Sequence, residues 1–317
     1  MWIRDAVPTS VPGVRTVLYG YDSKLVGSKS FQSITDIARS LILHLKSGGW
    51  NLPSSKPVVF LAHSLGGLVL KDAVVQMADR DKSVANVLNN IRGAIMFRVP
   101  SLGMEQSHLL AMVEGRPNES LVQDLSREGG SNYIRQLNAQ FEGLSFIKTT
   151  RIFWAYETEE SPTVMVSPYL FLTAVVLILV QCRADGTWDR SGPPAVLVNP
   201  ASATCHYYRK KRSMTIPINK DHSHMVKFSK GDVNLGVILH SIAELCAPKQ
   251  HELVHHPEHS AAHISISSST DQYAGAVLGG FLDDSEDFKM LKALGHLLSR
   301  IDGASLPFKW DFCFFRF

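Results

Sequence analysis

The chain of 317 residues is poor in cysteine and in net charge, and each shortage excludes a class of protein. Its four cysteines, Cys182, Cys205, Cys246 and Cys313, stand far apart with no C-x-x-C pair. That excludes a disulfide framework and the paired spacing of a structural zinc site, and it sets an intracellular, cytoplasmic compartment as the expectation. The opening MWIRDAVPTS lacks the apolar core of a secretory signal. A formal net charge of +3 is too small and too dispersed to argue for nucleic acid as a partner. The densest basic cluster, YYRKKR (207–212), reads as a solvated loop ahead of a strand. No G-x-x-x-x-G-K-[ST] occurs, so the chain has no phosphate-binding loop of that kind.

What the chain does have is apolar material: 45% of its residues are hydrophobic, enough for one large or two smaller cores. GVRTVLYGYD (13–22) predicts a buried strand closed by Gly20 and Asp22. SITDIARSLILHLKSG (33–48) sets Ile34, Ile37, Ala38, Leu41, Ile42 and Leu45 at helical spacing, with SGG as its stop. PVVFLA (57–62) reads as a fully buried strand, 65–79 as a helix and IRGAIMF (91–97) as a strand. A polar helical stretch runs to about 145, followed by strands at RIFWAY (151–156) and AVLVN (195–199) and a helix at DVNLGVILHSIAEL (232–245). This alternation predicts an α/β domain over 1–247, a mainly parallel sheet with helices on both faces.

After Pro248 the composition turns polar, and 248–282 reads as a linker. Its five histidines within 251–263 lack a fixed ligand spacing, which favours an exposed linker over a metal site. Residues 283–301 predict a terminal helix with an acidic first turn. PFKWDFCFFRF then closes a tail (283–317) that is expected to be the start of a further module.

The apolar run VMVSPYLFLTAVVLILV (164–180) is 17 residues long and is interrupted by Ser167, Pro168 and Thr173. A spanning helix needs about 20. An insertion over 164–181, a buried segment and a membrane helix all stay open from the residues alone.

The most informative stretch is VVFLAHSLGGLVLK (58–71). An apolar strand stops at Ala62, His63 and Ser64 follow, and two glycines lead into a helix. A-H-S-L-G between strand and helix is the nucleophile-elbow pattern, with small residues two positions either side of the serine. The tight turn lifts Ser64 above the sheet edge, the helix aims its N-terminal dipole at the serine oxygen, and the Leu65 amide is placed to donate to an oxyanion.

Together with WIRDAVP (2–8), VRTVLYGYDS (14–23), GAIMFRVPSLGM (93–104), AYETEESPT (155–163) and INKDHSHMVKF (218–228), this stretch resembles the fungal α/β-hydrolase domains related to serine-active-site-containing proteins and GPI-inositol-deacylase-like lipases. In fungi these often head longer chains with NACHT, ankyrin or tetratricopeptide modules. The landmarks run in family order over residues 2 to 247. The resemblance implies an α/β-hydrolase fold and a serine–acid–histidine triad in that chain order.

A serine hydroxyl needs a histidine to take its proton, and the histidine needs a carboxylate to hold its tautomer. His222, in KDHSHM, falls where the family's catalytic histidine does; His224 and His206 are the weaker candidates. Glu157, at the end of RIFWAY, is the expected acid, with Glu159 and Glu160 competing from the same loop, and Asp221 adjoins His222 too closely to reach its ring. These residues imply ester hydrolysis through an acyl-enzyme, without metal or cofactor, on an ester or lipid substrate. A spanning helix at 164–180 would put Glu157 and His222 in different compartments, so it and a working triad exclude each other. Association with mitochondrial or endoplasmic-reticulum membranes by other means stays open.

The chain departs from the resembling domains in two places. They open with a strand and an HG-type loop that supplies a second oxyanion amide, and this sequence begins after that point. The lost strand belongs between 14–20 and 57–62, so its absence is expected to leave two unpaired ladders inside the sheet. In FRVPSLG, Arg98 replaces a small residue, and a long guanidinium there must swing out or find a carboxylate. These departures keep a second function open beside the esterase: a catalytically impaired, hydrolase-like interaction or signalling module of a receptor-type protein.

Overall fold

The computed structural model describes residues 1–25, 28–80, 82–126, 132–163, 166–168, 178–180, 192–206, 214–247 and 312–316. The chain divides into two units, Met1–Cys246 with Leu306–Phe317, and Ala247–Ser305. The basic cluster at 207–212, the histidine-rich linker and the helix expected at 283–301 lie outside the described residues.

Two short helices, α1 (Trp2–Asp5) and α2 (Val7–Ser10), lead into strand β1 (Arg15–Tyr19). Helix α3 (Ile34–Ser47) starts where its sequence caps it: the Ser33 hydroxyl accepts from the Asp36 amide at 3.1 Å, and the Asp36 carboxylate accepts from the Ser33 amide at 3.0 Å. Such a reciprocal box satisfies two helix-end donors at once. Strand β2 (Val58–His63), helices α4 (Leu65–Arg80) and α5 (Lys82–Asn90) and strand β3 (Ile91–Phe97) follow. The polar stretch resolves into α6 (Ser107–Val113), α7 (Glu119–Gln123), α8 (Asn132–Gly143) and α9 (Ser145–Thr149), ahead of β4 (Arg151–Glu157). Beyond it come β5 (Ser161–Thr163), β6 (Val166–Pro168), β7 (Ile178–Val180), β8 (Gly192–Ala195), α10 (Pro200–Ala203), β9 (Thr215–Ile218), α11 (Val233–Cys246) and β10 (Phe312–Arg316).

The main sheet has the order β1-β10-β2-β3-β4-β9, in which β2, β3, β4 and β9 are mutually parallel. Every residue of β2 is buried, as expected of a strand covered on both faces. The two-residue period of the strands divides the core. Phe60, Ala62, Ala94, Met96, Ile152 and Trp154 join one apolar cluster with α3, α4 and α8. Val59, Leu61, Ile95, Phe97, Phe153 and Ala155 join another with α2 and α11. The mainly parallel, two-faced architecture expected from the sequence is therefore present.

The strand expected at 195–199 is corrected. Ala195 pairs with Ser161 in a separate two-stranded sheet, and the chain then leaves extended structure. The Asn199 side chain accepts from the Ser202 amide at 2.8 Å, and Pro200 occupies the first helical position, so the sequence after Val198 is built to start α10. Leu197 and Val198 are apolar because they plug the core. The parallel strand at this place is β9, whose Thr215–Ile218 pair with Trp154–Glu157.

Within 164–180, the described residues Val166–Pro168 pair antiparallel with Ile178–Val180. Among the described residues no helix is long and apolar enough to cross a membrane.

The gap between β1 and β2 is filled from the far end of the sequence. β10 lies in it, antiparallel to both neighbours: Phe314 pairs with Val17 on one side and with Phe60 on the other. The aromatic-rich FCFFR thus fills the place between 14–20 and 57–62 where the sequence predicts two unpaired ladders.

One network of buried polar groups centres on Lys71. Lys71 of α4 is fully buried; its ammonium donates to Ser101 Oγ and Asn138 Oδ1, both at 2.7 Å, and sits 5.2 Å and 5.0 Å from the ring centres of Phe141 and Trp154. Burial pushes its pKa down, with the Cys205 and Glu142 side chains opposing.

Candidate active site

Ser64 occupies the single residue between β2 and α4. Its backbone is left-handed, φ 52°, a region costly for any residue but glycine. The turn is held by the Ser64 amide donating to the Phe97 carbonyl and the Gly67 amide donating to the Ser64 carbonyl, each at 2.9 Å. Gly67 is required by close approach, since a Cβ there would lie 2.0 Å from a methyl of Val99. Ser64 is wholly buried and its hydroxyl has no hydrogen-bond partner among the described residues. The Leu65 amide opens α4, at the positive end of the helix.

His222 follows β9 and is 1% exposed. The ring centre lies 4.9 Å from that of His63, the residue before Ser64, and the His222 carbonyl accepts from His63 Nε2 at 3.1 Å. Trp2 braces the same loop from α1: its indole donates to the Val226 carbonyl at 2.9 Å, and its ring meets Phe228 edge-on at 5.2 Å. This role of the first helix is not visible in the sequence, which marks WIRDAVP only as a landmark.

Glu157 is the last residue of β4 and is buried. Its carboxylate is ion-paired with Arg98, which is wholly buried just beyond β3, and it accepts no hydrogen bond from another described residue. The guanidinium that had to find a carboxylate has found this one. Arg98 also donates to Ser161 Oγ at 3.3 Å, and that oxygen accepts from the His222 amide at 3.0 Å. Burial draws the guanidinium below its ordinary value, and the nearby Asp221 carboxylate opposes the shift.

The structure thus brings Ser64, His222 and Glu157 to the carboxyl edge of β2, β9 and β4, the edge at which open α/β sheets bind ligands. The competing candidates lie outside this cluster. Glu159, Glu160 and His206 are exposed, and His224 is exposed with Nδ1 2.8 Å from the Asp221 carboxylate. Asp221 is further occupied by the amides of Ser223 and His224, both at 2.9 Å. Among the described residues no group of three or more His, Cys, Asp or Glu side chains could hold a metal ion. A cavity of about 240 Å³, lined by Glu142, Arg151, Trp154 and Cys205, opens at the other end of β4, away from Ser64.

Parallel strands crossed by helices on both faces, with a left-handed serine joining a central strand to its helix, decide the architecture. The fold is that of an α/β-hydrolase. No family model matches the chain. Over 161 residues it is 27% identical to the protein SERAC1 of Homo sapiens and 25% to that of Bos taurus, in each case 47% of this chain and 24% of the relative. To protein SERAC1 of Danio rerio it is 26% identical over 148 residues, 44% of this chain and 22% of the relative. The chain spans about a quarter of the length of these relatives. Among solved structures it is similar to the crystal structure of Bacillus licheniformis lipase BlEst2 in mature form, with a TM-score of 0.30 and 15% identity over 41% of this chain and 49% of that one. A likeness of that size adds nothing to the α/β-hydrolase assignment, which rests on the sheet and the elbow.

One titration follows from the elbow's burial. Desolvation, reinforced by the Arg98 charge, pushes His63 down from 6.5 to about 4. Between those values the unfolded chain binds a proton here that the folded chain refuses. Stability therefore falls as pH drops through 6.5 and levels off below about 4, by roughly 3 kcal/mol from this group. Urea midpoints across this window will show the slope, and His63→Gln will flatten it. An unchanged slope in that variant assigns the acid sensitivity to other groups.

Proposed function

We propose that the chain is a serine hydrolase that cleaves an acyl ester, lipid esters included, through an acyl-enzyme. Ser64 Oγ attacks the carbonyl, His222 takes its proton and returns it to the leaving alcohol, Glu157 orients the imidazole, and the Leu65 amide receives the oxyanion. These steps use side chains and backbone alone. The hydrolase domain is proposed over 1–247, completed by the strand at 312–316, in an intracellular setting.

The observation that carries this reading is Ser64 itself. A buried serine at φ 52° with a hydroxyl bonded to no described residue incurs backbone strain and desolvation together. Packing offers no return for that combination, whereas a nucleophile poised for attack requires it.

A second reading is supported by the ion pair between Arg98 and Glu157, which occupies the acid. On this reading the fold is kept as an interaction or signalling module with an idle site. Fluorophosphonate labelling separates the two. The reagent loses fluoride as phosphorus bonds to Ser64 Oγ, and the base accepts the proton. Labelling confined to Ser64, abolished in Ser64→Ala and in heat-denatured protein and slowed about 10²–10⁴-fold in His222→Ala, is the expected result. A folded protein that takes no label favours the idle module.

A further inference from the structure

We propose that Arg98 is a latch on the triad, competing with His222 for the Glu157 carboxylate and weakening its service to the imidazole. The proposal rests on the assignment of Ser64, His222 and Glu157 given above, and goes beyond it by giving the arginine a positioning role that is negative in sign.

Charge decides the competition. Arg98 and Glu157 meet where both side chains are at most 1% exposed. In so dry a place a guanidinium–carboxylate contact is much stronger than a hydrogen bond from a neutral imidazole to the same carboxylate. A carboxylate already neutralised by a guanidinium has little potential left to stabilise an imidazolium. The guanidinium in turn has no easy exit. Its other described contact is a hydroxyl, Ser161 Oγ at 3.3 Å, and the next carboxylate, Asp221, is engaged with His224. Releasing Glu157 would leave a buried cation without its counter-ion.

The latch also reaches the base. Ser161 Oγ joins Arg98 to the backbone of His222, so one hydroxyl couples the β3 end to the histidine loop. The charged and titratable groups around His222 are His63 from β2, Arg98 from beyond β3, Glu157 from β4, and Asp221, His224 and Lys227 from its own loop. Of these, Arg98 is the buried guanidinium, and while charged it opposes the second positive charge that His222 must carry when it takes the serine proton.

The backbone shows what residue the position suits. Arg98 has φ 46°, its amide donating to the Ala155 carbonyl at 2.7 Å. Glycine meets that conformation without strain. Arg98→Gly therefore removes the latch while relaxing the main chain that carries it.

The test is the rate of fluorophosphonate labelling at Ser64, measured from pH 5 to 9 in four chains: wild type, Arg98→Gly, Glu157→Gln and the double variant, with Ser64→Ala as blank. Arg98→Gly is expected to label about 100-fold faster than wild type, a modest share of what a correctly oriented triad acid supplies. Its acidic limb moves to higher pH, because the freed carboxylate stabilises the imidazolium. Glu157→Gln slows labelling by a far larger factor in the glycine background than in wild type and reverses most of the gain there, the non-additivity expected of coupled groups. The double variant buries neither charge, so its folding is the control for the others. If Arg98→Gly is unstable, Arg98→Asn, which also tolerates a left-handed backbone, takes its place.

The latch is overturned if Arg98→Gly labels no faster than wild type, or if Glu157→Gln slows the two backgrounds equally. Either result means the carboxylate already serves His222, with the hydrolase reading intact. No label in any of the four folded chains sinks the hydrolase reading and the latch together.

Discussion

A chain cut before Phe312 loses its cooperative unfolding transition. The five residues of β10 lie between β1 and β2 and bond to both. Removing them exposes on the order of ten backbone groups that had partners, in the middle of a sheet rather than at its edge. At about 1–3 kcal/mol for each buried group left unpaired, the loss matches or exceeds the 5–15 kcal/mol that is typical of a whole domain. The alternative, closing β1 directly onto β2, would shift β1 by one strand spacing of about 4.8 Å and detach it from α2. Thermal unfolding followed by near-ultraviolet circular dichroism, with residues 312–317 present or deleted, measures this. Phe314→Pro is the finer probe, since proline removes one ladder donor without shortening the chain. A truncated protein that melts as sharply as the full chain, within a few degrees, would show that β10 is dispensable.

Asn138→Leu takes one of its two hydrogen-bond acceptors from the buried Lys71 ammonium and lowers stability by about 3–5 kcal/mol, the usual result of breaking a buried charged network from one side. In a unit of this size that is a fall in Tm of about 10 °C. The asymmetry is the informative part. Lys71→Met with Asn138→Leu removes the buried charge together with its amide acceptor and recovers part of the loss, the remainder being the Ser101 hydroxyl and carbonyl, which lose the ammonium and the Asn138 amide. The single variant's deficit also shrinks as pH rises toward the ordinary lysine value of 10.5, since burial already favours the neutral amine. Denaturant melts of the three variants at neutral and alkaline pH test both statements. Equal losses in the single and double variants would mean that Lys71 contributes through its hydrocarbon stem alone.

What could be read from the sequence depended on distance along the chain. The strand–serine–helix at 58–80 is local: six buried residues, a two-glycine turn and an amphipathic run leave little choice, and the structure forms β2, Ser64 and α4 there. The fourth parallel strand is marked in the sequence only as following the basic cluster at 207–212, without bounds or partner, for the converse reason. TIPI at 215–218 is four residues with a proline, too short to show a period, while AVLVN nearby had the better apolar pattern but served as a core plug beside a helix start. The partner of Arg98 was illegible because Glu157 lies 59 positions away, on a different strand; only the oddity of a long cation after a buried strand could be seen. β10 was illegible on the same ground, since an antiparallel pairing of Phe314 with Phe60 leaves no mark in either local sequence.

The placement of β10 also sets a timetable for synthesis. Tyr19 pairs with Phe312, a partner about 290 residues downstream. At about 5–20 residues per second, a ribosome that has finished β1 needs roughly 15–60 seconds to deliver the strand that docks beside it. Throughout that interval the open row of amides and carbonyls on β2 is available to any extended segment that reaches it first. Until β10 arrives, that side of the sheet is an unpaired edge, the kind that pairs with other chains.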